Sequence, residues 1–123
     1  MKVINSARLP FLIALAAALV AALTLSAVAG ARTSSTTITV KGGEFFFRLT
    51  SKTLSKPGKV TFVFKNVGHV GHDFSINGKK TPIIQPGKTA RLAITFKKKG
   101  RYPYKCTVPG HAAAGMRGVF TVR

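Results

Sequence analysis

The chain has 123 residues, of which 20 are Lys or Arg and only two are acidic, giving a formal net charge of +18. That length holds one domain and leaves no room for a second, and a single cysteine excludes an internal disulfide. The charge calls for anionic surroundings, which it attracts over a Debye length of about 8–10 Å in physiological salt.

Met1 to Arg8 carries Lys2 and Arg8 and no acid, and Leu9 to Leu25 is almost wholly apolar. Ala27-Val28-Ala29 or Ala29-Gly30-Ala31 then offers small residues to a signal peptidase. Residues 1–31 therefore read as an export signal. The apolar stretch exceeds the roughly 7–15 residues of a cleaved signal and approaches the roughly 20 of a membrane span, so an uncleaved anchor helix is the second reading. Both place residues 32–123 outside the cytoplasm, in the periplasm or on the extracytoplasmic face of the membrane.

From Ser34 onward the pattern is short, alternating apolar runs with no trustworthy helical period, which predicts an all-β domain over 32–123. Strands are expected at Thr36–Val40, Glu44–Thr50, Lys59–Lys65, His72–Ile76, Thr89–Phe96, Arg101–Cys106 and Gly118–Val122. Turn signals stand at Lys41-Gly42-Gly43, Lys56-Pro57-Gly58, Asn77-Gly78 and Gln85-Pro86-Gly87. Strands this short and this regularly spaced predict a two-sheet antiparallel β-sandwich.

Alternation also gives direction, because successive side chains face opposite sides of a sheet. Ala90, Leu92, Ile94 and Phe96 form one inward face. By the same parity Tyr102, Tyr104 and Cys106 point inward together, and His72 shares a face with Phe74 and Ile76, with Asp73 and Ser75 opposite. A histidine and the cysteine are thus both aimed into the core from strand ends.

A buried imidazole without a partner costs about 1–3 kcal/mol, and a cysteine in an exported chain normally serves a disulfide, which is impossible here. Cys106 is then an intermolecular bridge, an inert thiol or a metal ligand. The segment "CTVPGHAAAGM", residues 106–116, packs Cys106, His111 and Met116 together. Thiolate, imidazole and thioether jointly suit copper in both oxidation states, so one loop could deliver three ligands and His72 the fourth. Structural zinc sites ask for Cys pairs or a Cys2His2 spacing, which this chain lacks. His69 lies in a glycine-flanked loop outside the inward register and reads as a rim residue.

Two segments resemble the small blue copper proteins, the cupredoxins of the plastocyanin and azurin family. "NVGHVGHDF" (66–74) is similar to the stretch that bears the first histidine, and "YKCTVPGHAAAGMRGVFTV" (104–122) to the ligand loop and closing strand. The resemblance covers about Ser34 to Arg123 and implies a Greek-key, cupredoxin-like sandwich with one copper ion per chain. It implies His72, Cys106 and His111 as equatorial ligands and Met116 as the long axial one. Four residues separate Cys106 from His111 and four separate His111 from Met116, a spacing closer to rusticyanin, sulfocyanin and auracyanin than to plastocyanin. Asp73 stands where many members carry Asn. It could accept hydrogen bonds from around Thr107 but donate none, and its charge should favour Cu(II).

The function so implied is one-electron shuttling by a monomer rather than catalysis. His111 would present the site at the surface, among the small residues Ala112, Ala113, Ala114 and Gly115, to acidic redox partners drawn by the basic surface. The same surface or the anchor could hold the protein at a membrane, whereas export and the lack of a basic helix or aromatic-studded strand argue against nucleic acid. The other readings are a copper carrier or storage protein and a metal-free sandwich that binds anionic surfaces.

Overall fold

The computed structural model describes residues 29–30 and 34–123. The expected signal or anchor at 1–31 lies almost wholly outside these residues.

Among the described residues nine strands form: β1 Thr36–Gly43, β2 Phe46–Leu49, β3 Thr53–Leu54, β4 Gly58–Asn66, β5 Ser75–Ile76, β6 Lys79–Lys80, β7 Thr89–Phe96, β8 Gly100–Lys105 and β9 Arg117–Val122. One sheet has the order β2-β1-β4-β7 and the other β3-β9-β8-β5-β6, so the sandwich is as expected. The sheets are mixed, however, not purely antiparallel. Strand β1 runs parallel to β4, and β3 parallel to β9. Alternation along one strand is blind to the direction of its neighbour, since a parallel and an antiparallel partner bury the same face.

Between the sheets lies an aromatic core. Val60, Phe62 and Phe64 of β4, Leu92, Ile94 and Phe96 of β7, and Phe120 and Val122 of β9 are all buried. Phe62 meets Phe74, Phe96 and Phe120 at centroid distances of 5.2, 6.3 and 5.4 Å. Each such side chain contributes about 1.5–3 kcal/mol on burial, so the aromatic stack is the rigid floor on which the loops of one end stand.

Two turn signals resolve differently. Asn77 and Gly78 take positive φ values of 51° and 75° and link β5 to β6, with Ile76 opposite Lys79. That is the two-residue hairpin such a pair favours. Lys41-Gly42-Gly43 is instead the end of β1, paired with both β2 and β4. A Cβ at Gly42 would stand 2.7 Å from the Phe64 ring and 2.9 Å from that of Phe47, so this glycine admits two aromatic rings and the chain reverses one step later, at Glu44-Phe45.

The strand expected at His72–Ile76 is reduced to β5. His72 keeps a single bridge to Ile84, and the chain turns inward at Asp73, which is fully buried although parity had put it outside. Phe74 N–H donates to the Thr81 hydroxyl, and Thr81 N–H to the Phe74 carbonyl, both at 3.0 Å. These bonds replace the ladder and break the alternation.

Candidate metal centre

Three loops converge at one end of the sandwich: Glu44-Phe45 between β1 and β2, residues 67–74 after β4, and residues 106–116 between β8 and β9. Asn66, the last residue of β4, shapes the second. Its side-chain amide donates to the carbonyls of Val70 and Ile84, both at 2.8 Å, and its Oδ1 accepts from Gly68 N–H at 2.9 Å. His72 N–H donates to the Ile84 carbonyl and Ile84 N–H to the His72 carbonyl, so the backbone that carries the His72 ring is fixed from both sides.

The third loop is closed by its own backbone. Cys106 N–H donates to the Met116 carbonyl at 3.0 Å and Met116 N–H to the His111 carbonyl at 3.1 Å, while His111 N–H reaches back to Val108. Gly110 and Gly115 adopt φ of 81° and 126°, a region that costs side-chain-bearing residues strain. A Cβ at Gly115 would also lie 2.8 Å from the Phe45 carbonyl, so the first loop packs directly on the third.

This arrangement brings together three of the four residues expected to bind metal. Nδ1 of His72 lies 3.0 Å from Nδ1 of His111, and the Cys106 Sγ lies 3.9 and 3.6 Å from those two nitrogens. Donors bonded to one first-row ion at about 2.0–2.3 Å are separated by about these distances, so the three atoms fit a common coordination sphere. His72 and Cys106 are buried and His111 is partly exposed. Met116 is fully buried and joined to Cys106 and His111 by the backbone bonds above. His69 stands apart, with a side chain 96% exposed.

The protein's two acidic residues both sit here. Asp73 accepts from Thr107 N–H at 2.6 Å and from the Thr107 hydroxyl, tying the second loop to the residue that follows Cys106. This is the acceptor role expected of an Asp at that position. Glu44 was not anticipated. Its Oε1 lies 2.7 Å from Nε2 of His72, and its carboxylate accepts from the backbone N–H groups of His69 and Val70. The His72 ring and those N–H groups hold the Glu44 carboxyl at about 2, below its ordinary 4.5, against the desolvation that opposes them. Burial pushes the Cys106 thiol up, so a bound cation is what would keep it as thiolate. Phe45 meets the His111 ring edge-on at 5.1 Å. The available signal for Glu44 was its rarity: it is one of two acids in a chain with twenty Lys and Arg.

A family model described as copper binding proteins, plastocyanin/azurin family, matches residues 32–123. Among solved structures, dithionite-reduced auracyanin from the photosynthetic bacterium Roseiflexus castenholzii aligns with a TM-score of 0.62 at 25% identity, over 72% of this chain and 97% of that one. Rusticyanin from Thiobacillus ferrooxidans shares the fold, with a TM-score of 0.59 at 24% identity over 72% of this chain and 77% of its own. The copper-resistant cuproprotein CopI of Pseudomonas aeruginosa is 46% identical over 41 residues, 33% of this chain. The chain spans 23% of the length of that curated relative.

Proposed function

Because the chain belongs to the plastocyanin/azurin family of copper-binding proteins, with copper as its cofactor, we propose that this blue copper protein is an exported one-electron carrier. In this reading His72, Cys106, His111 and Met116 would hold the ion. The observation that carries it is the triangle of two imidazole nitrogens and one sulfur, with no side longer than 3.9 Å and only the His111 corner partly exposed. When bound, copper supplies a one-electron couple, and a thiolate with two imidazoles serves both of its oxidation states.

The chain's own residues do the rest. His72, Cys106 and Met116, each at most 1% exposed, exclude water from three sides. His111 is the one member of the set that a partner can reach. Around it stand exposed Ala113 and Ala114 and the exposed ring of Phe45. Val67 and Val70 are exposed on the neighbouring loop, and Ile83 lies across Gly71. Large apolar side chains left in water at one end of a small domain mark a contact surface. Exposed Lys105 and Arg117 flank the loop where β8 ends and β9 begins, and an acidic redox protein fits such a rim. Charge of this kind speeds encounter more than it tightens the complex, which suits a carrier that must release.

The likeness to a protein named for copper resistance favours a second reading, copper handling without electron transfer. One titration separates them. Cu(II) added to the purified protein should give an intense visible absorption, absent in Cys106→Ala, that bleaches and returns with mild reductant and oxidant. Rapid loss of the metal to a chelator would favour handling, and no colour in the wild type would refute both.

A further inference from the structure

We propose that Glu44 is the positioning residue of His72, and that its carboxylate weights the bound copper toward Cu(II). The inference rests on the reading above, in which His72 Nδ1 faces the metal. With Nδ1 so engaged, Nε2 carries the ring proton, and that N–H points at Glu44 Oε1 from 2.7 Å. The bond selects one tautomer, stops rotation of the ring and draws the proton toward oxygen, which raises the electron density on Nδ1. A more basic imidazole and a nearby negative charge both stabilise the more highly charged ion, so Cu(II) gains more than Cu(I).

The surroundings are built to keep Glu44 in place. A Cβ at Gly68 would collide with both carboxylate oxygens, so the glycine of "NVGHVG" makes room for the acid. His69 and Val70 N–H groups grip the same carboxylate. In a chain with twenty Lys and Arg, the ion contacts of Glu44 among the described residues are with histidines alone. A surface acid serving only solubility or general charge balance would pair with lysine or arginine.

The test uses the full chain, loaded with copper, as wild type and as Glu44→Gln, which keeps the size of the side chain and removes its charge. Reduction potentials are measured by titration, and Cu(II) and Cu(I) affinities by competition with chelators. Loss of such a partner typically costs about 10–100-fold in metal affinity. The Cu(II) affinity of Glu44→Gln should fall at least about tenfold more than its Cu(I) affinity, raising the potential by about 59 mV for each tenfold change in their ratio. Equal losses in both oxidation states, with an unchanged potential, would mean that Glu44 only shapes the loop, and would overturn the proposal. Should Glu44→Gln fail to fold, proton NMR of the wild-type Cu(I) protein decides. A downfield, exchange-protected His72 ring N–H supports the bond, and its absence overturns it. A wild type that never colours with Cu(II) removes the copper ligand reading itself, whereas a coloured wild type with an unshifted Glu44→Gln removes only the role of Glu44.

Discussion

Removing the Asp73 carboxylate leaves two donors of Thr107 without their acceptors at once, its N–H, which donates at 2.6 Å, and its hydroxyl. Each buried donor left without a partner costs about 1–3 kcal/mol. Asp73 is fully buried but Thr107 is only partly so, and water reaching Thr107 holds the total for Asp73→Ala to about 2–4 kcal/mol. A domain of this size has about 5–13 kcal/mol of stability in all. A loss of 2 kcal/mol alone should lower Tm by at least about 8 °C. Asp73→Asn behaves differently. Its amide oxygen still accepts from Thr107 N–H, and its NH2 can donate to the Thr107 hydroxyl oxygen, so both bonds survive and only their charge assistance goes, about 1–2 kcal/mol. Urea unfolding of the metal-free proteins, followed by circular dichroism, should therefore rank wild type above Asp73→Asn and Asp73→Asn above Asp73→Ala. Equal midpoints for the two variants would refute the claim that hydrogen bonding, not charge, ties these loops together. In the copper-loaded protein the order of interest is electrical: Asp73→Asn should have the higher potential, since it removes a negative charge that favours Cu(II), and an unchanged potential would dismiss that charge as a determinant.

Asn66→Ala should destabilise the metal-free chain by about 2–4 kcal/mol, because it orphans the carbonyl of Val70 and the N–H of Gly68 and leaves the Ile84 carbonyl with His72 N–H as its remaining donor. It should also speed copper loss to a chelator, since the segment that loosens is the one that carries His72, and a variant with wild-type unfolding and retention would contradict this account of the loop. Electron exchange with an acidic redox protein, timed by stopped flow, should slow by at least about tenfold from low to high salt. A rate indifferent to salt would refute steering by the basic surface.

Much of the site was legible because it depends on short-range regularities. The two-residue repeat of a strand places Cys106 on the same side as Tyr104, and Tyr104 and Cys106 are indeed both buried. The reversal between β8 and β9 then forces His111 and Met116 back toward Cys106. His72 was legible for the same reason, sharing the buried side with Phe74 and Ile76. The repeat failed wherever a bond from a distant segment outweighed it. Asp73 turned inward because Thr107, far along the chain, offers it two donors, and Gly42 remained in a strand because the rings of Phe47 and Phe64 fill the space where its side chain would be.

From its order of residues alone the chain determined which atoms could bind a soft metal and which way most of them point, since side-chain chemistry and strand parity are local properties. The tertiary structure alone decided that β1 lies parallel to β4 and that the Glu44-Phe45 turn joins the other two loops. It thereby put a carboxylate on the far nitrogen of the His72 ring. Contacts of that kind depend on how two sheets close on one another, and the free energy of that closure is shared among residues that no local pattern connects.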